Sequence, residues 1–373
     1  MVALAWLASR VLVWVFVMVG HIRLQTMPPP SEDMGAWVGV SSYWLNPWTT
    51  FDSRHFIGIA QHGYTQPLHA AFFPLYSLIL RMIGGAGADA NTLALIGIVV
   101  SNIAFLGALW LLFCLTRDEW GEAVAKRAVW IEAFFPAAAF SAAVYTESLF
   151  LLLSIGFFYA SRRKQWWLSA PLGFLAGLTR NSGPILCVAL LLDRPKEPLS
   201  FAEKRSRVLC AICPLLGLIV VQLYLHQTMG SSSLSVQKIF GRELTFPLFP
   251  ILLDLQALLT KPDTWLDFVT FPVVMSCIIS LTLMWMYRRR FSPGKLFFVG
   301  SILIMSLTLA WQGTPHTLST IRYLFGAFPA IQLFALASSE KLPSKRATMY
   351  LATAGIALFF VQSYLFGLKD FLG

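Results

Sequence analysis

The chain has 373 residues, of which 57% are hydrophobic and only 12% charged, with a formal net charge of +10. A soluble globular protein carries about 25% charged residues, so the composition excludes that class and indicates a membrane protein. Several apolar runs reach the roughly 20 residues that a helix needs to cross about 30 Å of hydrocarbon, which favours helices over a barrel.

An all-α polytopic fold of about 10 to 11 transmembrane helices follows, with residues 1–373 forming a single integral membrane domain. The first span runs from Met1 to about Gly20, and its length together with Arg10 predicts an uncleaved anchor. Residues 21–90 form a first extracytoplasmic loop that begins with Pro28, Pro29 and Pro30. Amphipathic helices are expected in it over 36–47 and 51–62, with Trp37, Tyr43, Trp44 and Trp48 at the interface. The apolar stretch 72–83 is too short to cross and lies along or dips into the outer leaflet.

Crossings are then predicted at 91–115, 129–145 and 147–161. The next apolar stretch, 166–193, is interrupted by Thr179-Arg180-Asn181-Ser182-Gly183-Pro184. Both of its flanks are basic, so the chain should rise to Arg180 and return as two shorter helices. A polar break of this kind is tolerated only where it is buried or lines a cavity. After a crossing at 208–228 comes a second extracytoplasmic loop, 229–266, with Lys238, Arg242 and Glu243. Crossings at 267–287, 295–311, 322–338 and 348–367 complete the chain.

The positive charge is not a nucleic-acid signal, because it is collected between spans. Arg117, Lys126 and Arg127, then Arg162, Arg163 and Lys164, then Arg194, Lys196, Lys204, Arg205 and Arg207, then Arg288, Arg289, Arg290 and Lys295, and finally Lys341, Lys345 and Arg346 make up most of the 28 Lys and Arg. One topology puts all of these segments in the cytoplasm, as the positive-inside rule requires. The five cysteines all sit in apolar runs, and the lone C-x-x-C of Cys210 and Cys213 reads as packed thiols.

The same topology gathers Asp52, Tyr145, Thr146, Glu147, Arg180, His316, Arg322 and Tyr323 at the extracytoplasmic face. Ionisable groups at membrane depth are costly unless they face water or one another, so together they define a polar cavity. Glu147 would be satisfied by Arg180 or Arg322. Glu132, toward the cytoplasmic half of its span, reads as structural. Four of the six histidines lie between residues 20 and 70, but no ligand spacing among Asp52, His62 and His69 demands a metal.

Four blocks carry a family resemblance. F-D-S-R-H-F-I-G-I-A-Q-H-G-Y (51–64) followed by A-F-F-P-L-Y (71–76), F-P-A-A-A-F-S-A-A-V-Y-T-E-S-L-F (135–150), G-L-T-R-N-S-G (177–183) and T-I-R-Y-L-F-G-A-F-P (320–329) resemble, in order, motifs of the second mannosyltransferase of GPI-anchor synthesis and its bacterial relatives, the PIG-V-like family. Phe51 stands where that family usually has Trp, and Ser77 where it often has Pro.

The resemblance implies a GT-C glycosyltransferase whose site opens on the outer face and whose donor is a polyprenyl-phosphate sugar, with mannose as the family's sugar. The acceptor would be a hydroxyl on a glycan, glycolipid or protein. No metal or other cofactor is implied beyond the lipid-linked donor. By its place in the motif, Asp52 is the general base of an inverting displacement. Arg180 and Arg322 are candidates for the departing phosphate, since a guanidinium fork suits phosphate. Glu147, Tyr145, Tyr64, Tyr323 and His316 join them as substrate-binding candidates. Arg54 and His55 either bind acceptor or donor or simply face water. A flippase of lipid-linked sugars is the second reading, and a non-catalytic scaffold the third. The topology fits a bacterial plasma membrane and an endoplasmic reticulum equally, and the short loops and near-absence of a tail lean toward the bacterial membrane.

Overall fold

A computed structural model describes residues 1–26, 39–195, 197–233, 235–260, 264–311, 317, 319–340 and 345–369. The described chain is helical apart from one small pair of strands. In order it forms α1 (Val2–Gln25), α2 (Ser53–His62), α3 (Pro74–Gly84), α4 (Ala90–Trp120), α5 (Glu122–Ala133), α6 (Glu147–Arg162), α7 (Trp166–Gly177), α8 (Ile185–Leu192) and α9 (Phe201–Met229). Strand β1 (Arg242–Leu244), α10 (Phe249–Thr260), α11 (Thr264–Tyr287), α12 (Pro293–Thr308), β2 (Leu309–Trp311), α13 (Thr320–Phe325), α14 (Phe328–Glu340) and α15 (Lys345–Gly367) follow. Among the described residues, Val2–Gln25, Ala90–Trp120, Phe201–Met229 and Thr270–Tyr287 are long and apolar enough to cross a membrane alone. The protein is a multi-pass membrane protein.

The helix boundaries have local causes. Asp89 caps α4 by accepting from the Thr92 N–H at 2.7 Å, and Gly121, at φ +86°, ends it. Ser200 and Glu203 form a reciprocal capping box at the start of α9. Pro74 in the first turn starts α3 at the one place where a missing N–H costs nothing.

Three expected elements differ from what forms. The crossing predicted at 129–145 is broken: α5 stops at Ala133, and Pro136–Ser141 is a 3-10 turn. Pro136 forces Phe135 into an extended conformation, and an apolar run does not reveal such a stop. Buried Arg10 of α1 supports the break by donating from Nη1 to Ser141 Oγ at 2.9 Å. The crossing at 322–338 is likewise split, into α13 and α14, at Gly326 and Ala327. Of the amphipathic helix expected at 36–47, residues 36–38 lie outside the described ones, and the rest is turn leading into a 3-10 segment, Asn46–Thr49, with Pro47 in its first turn. Trp37 and Pro28 to Pro30 are also outside the described residues. The second helix expected in that loop forms as α2, and 166–193 forms as the predicted pair α7 and α8 around a break at Arg180.

Basic residues gather at one end of the bundle. There Arg162 pairs with Glu119 at 2.8 Å, Arg163 with Asp118 at 2.9 Å and Arg290 with Glu340 at 2.7 Å, while buried Lys295 reaches Glu119 at 2.6 Å and Gln332 at 2.8 Å. These contacts clamp the basic ends of α4, α6, α12 and α14. Helices α6 and α14 start at the opposite end, where the polar residues singled out from the sequence meet.

Tight packing fixes the break between α7 and α8. A Cβ on Gly177 would lie 2.1 Å from the Pro214 carbonyl oxygen of α9, and one on Gly183 would lie 2.6 Å from the Ala176 carbonyl oxygen. Small residues of this kind let backbones touch in a bilayer, where apolar side chains gain little by leaving lipid.

Candidate active site

Phe51 adopts φ +54°, in the left-handed region that costs a non-glycine residue about 1 kcal/mol or more. The turn it makes puts Asp52 directly before α2. An aspartate there would ordinarily cap the helix, but no side-chain cap forms. Instead Asp52 Oδ2 accepts from Arg322 Nη2 at 2.7 Å, and the carboxylate side chain keeps 22% exposure.

Three contacts tie this turn to the segment before α6. Tyr145 OH donates to the Thr50 carbonyl at 3.2 Å and accepts from the Asp52 N–H at 3.3 Å, and the Val144 N–H donates to the Trp48 carbonyl at 3.1 Å. Behind Tyr145, Ser101 Oγ lies 3.2 Å from its carbonyl oxygen and 2.7 Å from Tyr76 OH. Tyr76 belongs to the F-F-P-L-Y block, so two of the recognisable motifs are joined through one buried serine of α4.

Glu147 begins α6, where the N-terminal end of the helix dipole favours a carboxylate. Its side chain is 1% exposed, with Oε1 2.7 Å from Arg322 Nε and in an ion pair with Arg180 Nη1. Arg180 also donates to Thr146 Oγ1 at 3.1 Å. Glu147 is thus paired with both arginines that the sequence offered as alternatives. Arg322 links the two carboxylates, and its guanidinium sits 5.3 Å from the ring centre of Tyr145 and 5.5 Å from that of Phe140. Buried ion pairs are stable only when every charge is satisfied, and this network nearly closes on itself.

Tyr323 stands beside it, with Arg180 5.4 Å from its ring centre. Its hydroxyl accepts from Arg242 Nη1 at 3.2 Å, and Arg242 Nη2 donates to Ser319 Oγ at 3.3 Å. Arg242 reaches the site because β1 pairs antiparallel with β2, with Arg242 opposite Trp311. The approach to α13 is held by buried Asp254 of α10, which accepts from the Thr317 N–H at 2.9 Å. The sequence assigned Arg242 only to a loop. No local signal set it apart, since Lys238 shares its loop and Arg54 lies in the loop before.

The Asp52 carboxyl is pushed up by burial, but Arg322 foremost, with His55 and Arg242, outweighs this and holds it below the usual carboxylate range. His55 is buried and stacked on Phe72 at 4.4 Å, and burial takes its imidazole down to about 4. A neutral ring matches its contact with Arg54, whose Nε points at His55 Nε2 at 3.4 Å.

Other candidates are placed elsewhere. Tyr64 OH donates to the Phe72 carbonyl at 2.6 Å and its ring packs on Tyr224, making it a strut between the first loop and α9. His69 accepts from the Thr65 N–H at 3.3 Å within its own turn, while His62 is exposed, so the two do not converge with Asp52. His316 lies outside the described residues. Glu132 is fully buried on α5, and neither of its carboxylate oxygens has a hydrogen-bond partner among the described residues. A cavity of about 280 Å³ opens at the basic end, lined by Arg162, Lys164, Trp166, Asp193 and Arg207 among others. There Arg162 pairs with Glu119 and Asp193, Lys164 pairs with Glu203, and Arg207 donates to the Leu190 and Asp193 carbonyls; none of the residues at the Asp52 site lines it.

Comparison with known proteins places these residues in context. A family model described as mannosyltransferase (PIG-V) matches residues 12–234, the span that carries Asp52, Tyr145, Glu147 and Arg180. GPI mannosyltransferase 2 of Cryptococcus neoformans is 25% identical over 198 residues, covering 48% of this chain and 47% of that protein. GPI alpha-1,6-mannosyltransferase 2 of Mus musculus is 28% identical, covering 46% of this chain and 38% of that one. The matched segment spans about half or less of the length of these curated relatives. They are eukaryotic, so they lend no support to a bacterial plasma membrane. Among solved structures, the apo oligosaccharyltransferase of Archaeoglobus fulgidus aligns with a TM-score of 0.46 at 12% identity, covering 98% of this chain and 56% of that one.

Proposed function

Since the chain belongs to the mannosyltransferase (PIG-V) family, we propose that it is a GT-C glycosyltransferase that moves mannose from a polyprenyl-phosphate donor to a hydroxyl of a glycan, glycolipid or protein acceptor. The basic end of the bundle is cytoplasmic by the positive-inside rule, so the Asp52 end faces the extracytoplasmic side.

In the proposed reaction the acceptor oxygen attacks C1 of the sugar, and its proton passes to Asp52. The bond from C1 to the phosphate oxygen breaks, and its electron pair leaves on the polyprenyl phosphate. A single displacement inverts the configuration at C1. The observation that carries this reading is the Asp52 carboxylate, partly exposed and fixed by Arg322 at 2.7 Å beside a cluster in which guanidiniums outnumber carboxylates. The carboxylate can accept a proton, and the excess positive charge can meet the negative charge that grows on the leaving phosphate.

The test is to incubate the purified protein with a panel of polyprenyl-phosphate sugars and candidate acceptors and to analyse products by mass spectrometry. A product one hexose heavier, formed from the mannosyl donor, is expected. Movement of the lipid-linked sugar across vesicles without a new glycosidic bond would replace this reading with that of a flippase.

A further inference from the structure

Two of the guanidiniums at the site are already ion-paired with carboxylates. Arg322 holds Asp52 and Glu147, Arg180 holds Glu147, and both side chains are 9% exposed. The charge of each is therefore largely neutralised by the carboxylate it pairs with, which weakens its pull on an incoming phosphate. Arg242 differs in both respects. Its guanidinium donates to two neutral hydroxyls, Tyr323 OH at 3.2 Å and Ser319 Oγ at 3.3 Å, and no carboxylate among the described residues pairs with it. It is half-buried rather than sealed, and it enters from the β1–β2 ribbon instead of the helix core.

The charge count favours the same residue. Asp52 and Glu147 are matched by Arg180 and Arg322; of the two further arginines, Arg54 turns its Nε to His55 Nε2 at 3.4 Å, and Arg242 adds positive charge beside this quartet. A polyprenyl-phosphate sugar is a phosphodiester with one negative charge, which becomes a monoester with up to two when the C1–O bond breaks. A guanidinium that binds hydroxyls can exchange them for phosphate oxygens without stranding a charge, and its fork suits two such oxygens.

We infer that Arg242 is the phosphate-binding residue of the donor site, with Tyr323 and Ser319 holding it in place until the donor arrives. This rests on the proposed glycosyl transfer and moves the phosphate contact from Arg180 and Arg322 to the outer loop. Arg322 then positions the base, and Arg180 positions Glu147.

The experiment compares binding of a polyprenyl monophosphate with binding of the matching neutral polyprenol to the full chain in nanodiscs, alongside donor KM and kcat. The wild type should prefer the phosphate by more than 10-fold. Arg242→Gln, which removes the charge and leaves a polar amide, should lose that preference and raise donor KM by at least 10-fold at unchanged melting temperature. Arg242→Lys should fall between the two. A phosphate preference unaltered in Arg242→Gln overturns the inference and leaves the glycosyltransferase reading standing. No preference in the wild type overturns both.

Discussion

Arg322 Nη2 lies 2.7 Å from Asp52 Oδ2, so the arginine that the sequence offered to the donor phosphate instead holds the candidate base. The pairing keeps Asp52 ionised, and Arg322 in turn is held by Glu147 at 2.7 Å. The network therefore positions one partly exposed carboxylate by means of two buried charges.

Glu147 is the shared counter-ion of that network, and removing it leaves two buried guanidiniums with one carboxylate. Glu147→Ala should lower stability by about 3–5 kcal/mol, the usual cost of breaking a buried ion pair. Thermal or denaturant unfolding in detergent checks this. A double-mutant cycle with Arg180→Ala should show strong non-additivity, because the second change removes a charge that the first has already stranded.

The tight crossing of α7 and α9 should be intolerant of a single methyl group. A Cβ at Gly177 would come within 2.1 Å of backbone, the Pro214 carbonyl oxygen, which cannot swing aside like a side chain. Gly177→Ala should cost roughly 1–3 kcal/mol or more and, by shifting the break that carries Arg180, should lower transfer as well. Gly355→Ala, inside α15 with nothing within 4 Å, is the matched control and should leave transfer unchanged and stability equal or higher by up to about 1 kcal/mol.

Stability should fall on mild acidification because of His55. Burial lowers its imidazole to about 4 in the folded protein, against about 6.5 when unfolded. Between those values the unfolded chain binds the extra proton, so His55 penalises folding progressively as pH drops from about 6.5 to about 4, by up to roughly 3 kcal/mol. Asp52 acts lower down. Its folded value lies below the usual carboxylate range, so its contribution is present above about pH 4 and is lost only on further acidification. His55→Phe, which can keep the stack on Phe72, should flatten the melting temperature across pH 6.5 to 4. An unchanged slope would mean that other groups carry the proton uptake.

Much of the site was legible in the sequence because charge is rare in it. Asp52, Glu147, Arg180 and Arg322 stand out against apolar surroundings, and the alternation of basic segments put them at one end. The polar break at Arg180 was readable for the same reason. The stops at Pro136 and Gly326 were not, since hydropathy runs straight through them and only backbone geometry interrupts the helix. Arg242 was obscured in the opposite way, by a polar loop in which a charge attracts no notice. Its role depends on a strand pairing between residues 242–244 and 309–311, a non-local contact that no local pattern specifies.

Transfer by Asp52→Asn is the most direct measurement of the whole account. Asparagine preserves the size of the side chain and an oxygen for Arg322 but cannot take the acceptor's proton. With the polyprenyl-phosphate mannose donor, the variant should insert and fold like the wild type, bind the donor with similar affinity, and lose about 10²–10⁴-fold in kcat. Turnover by Asp52→Asn at the wild-type rate would contradict the assignment of Asp52 as the base.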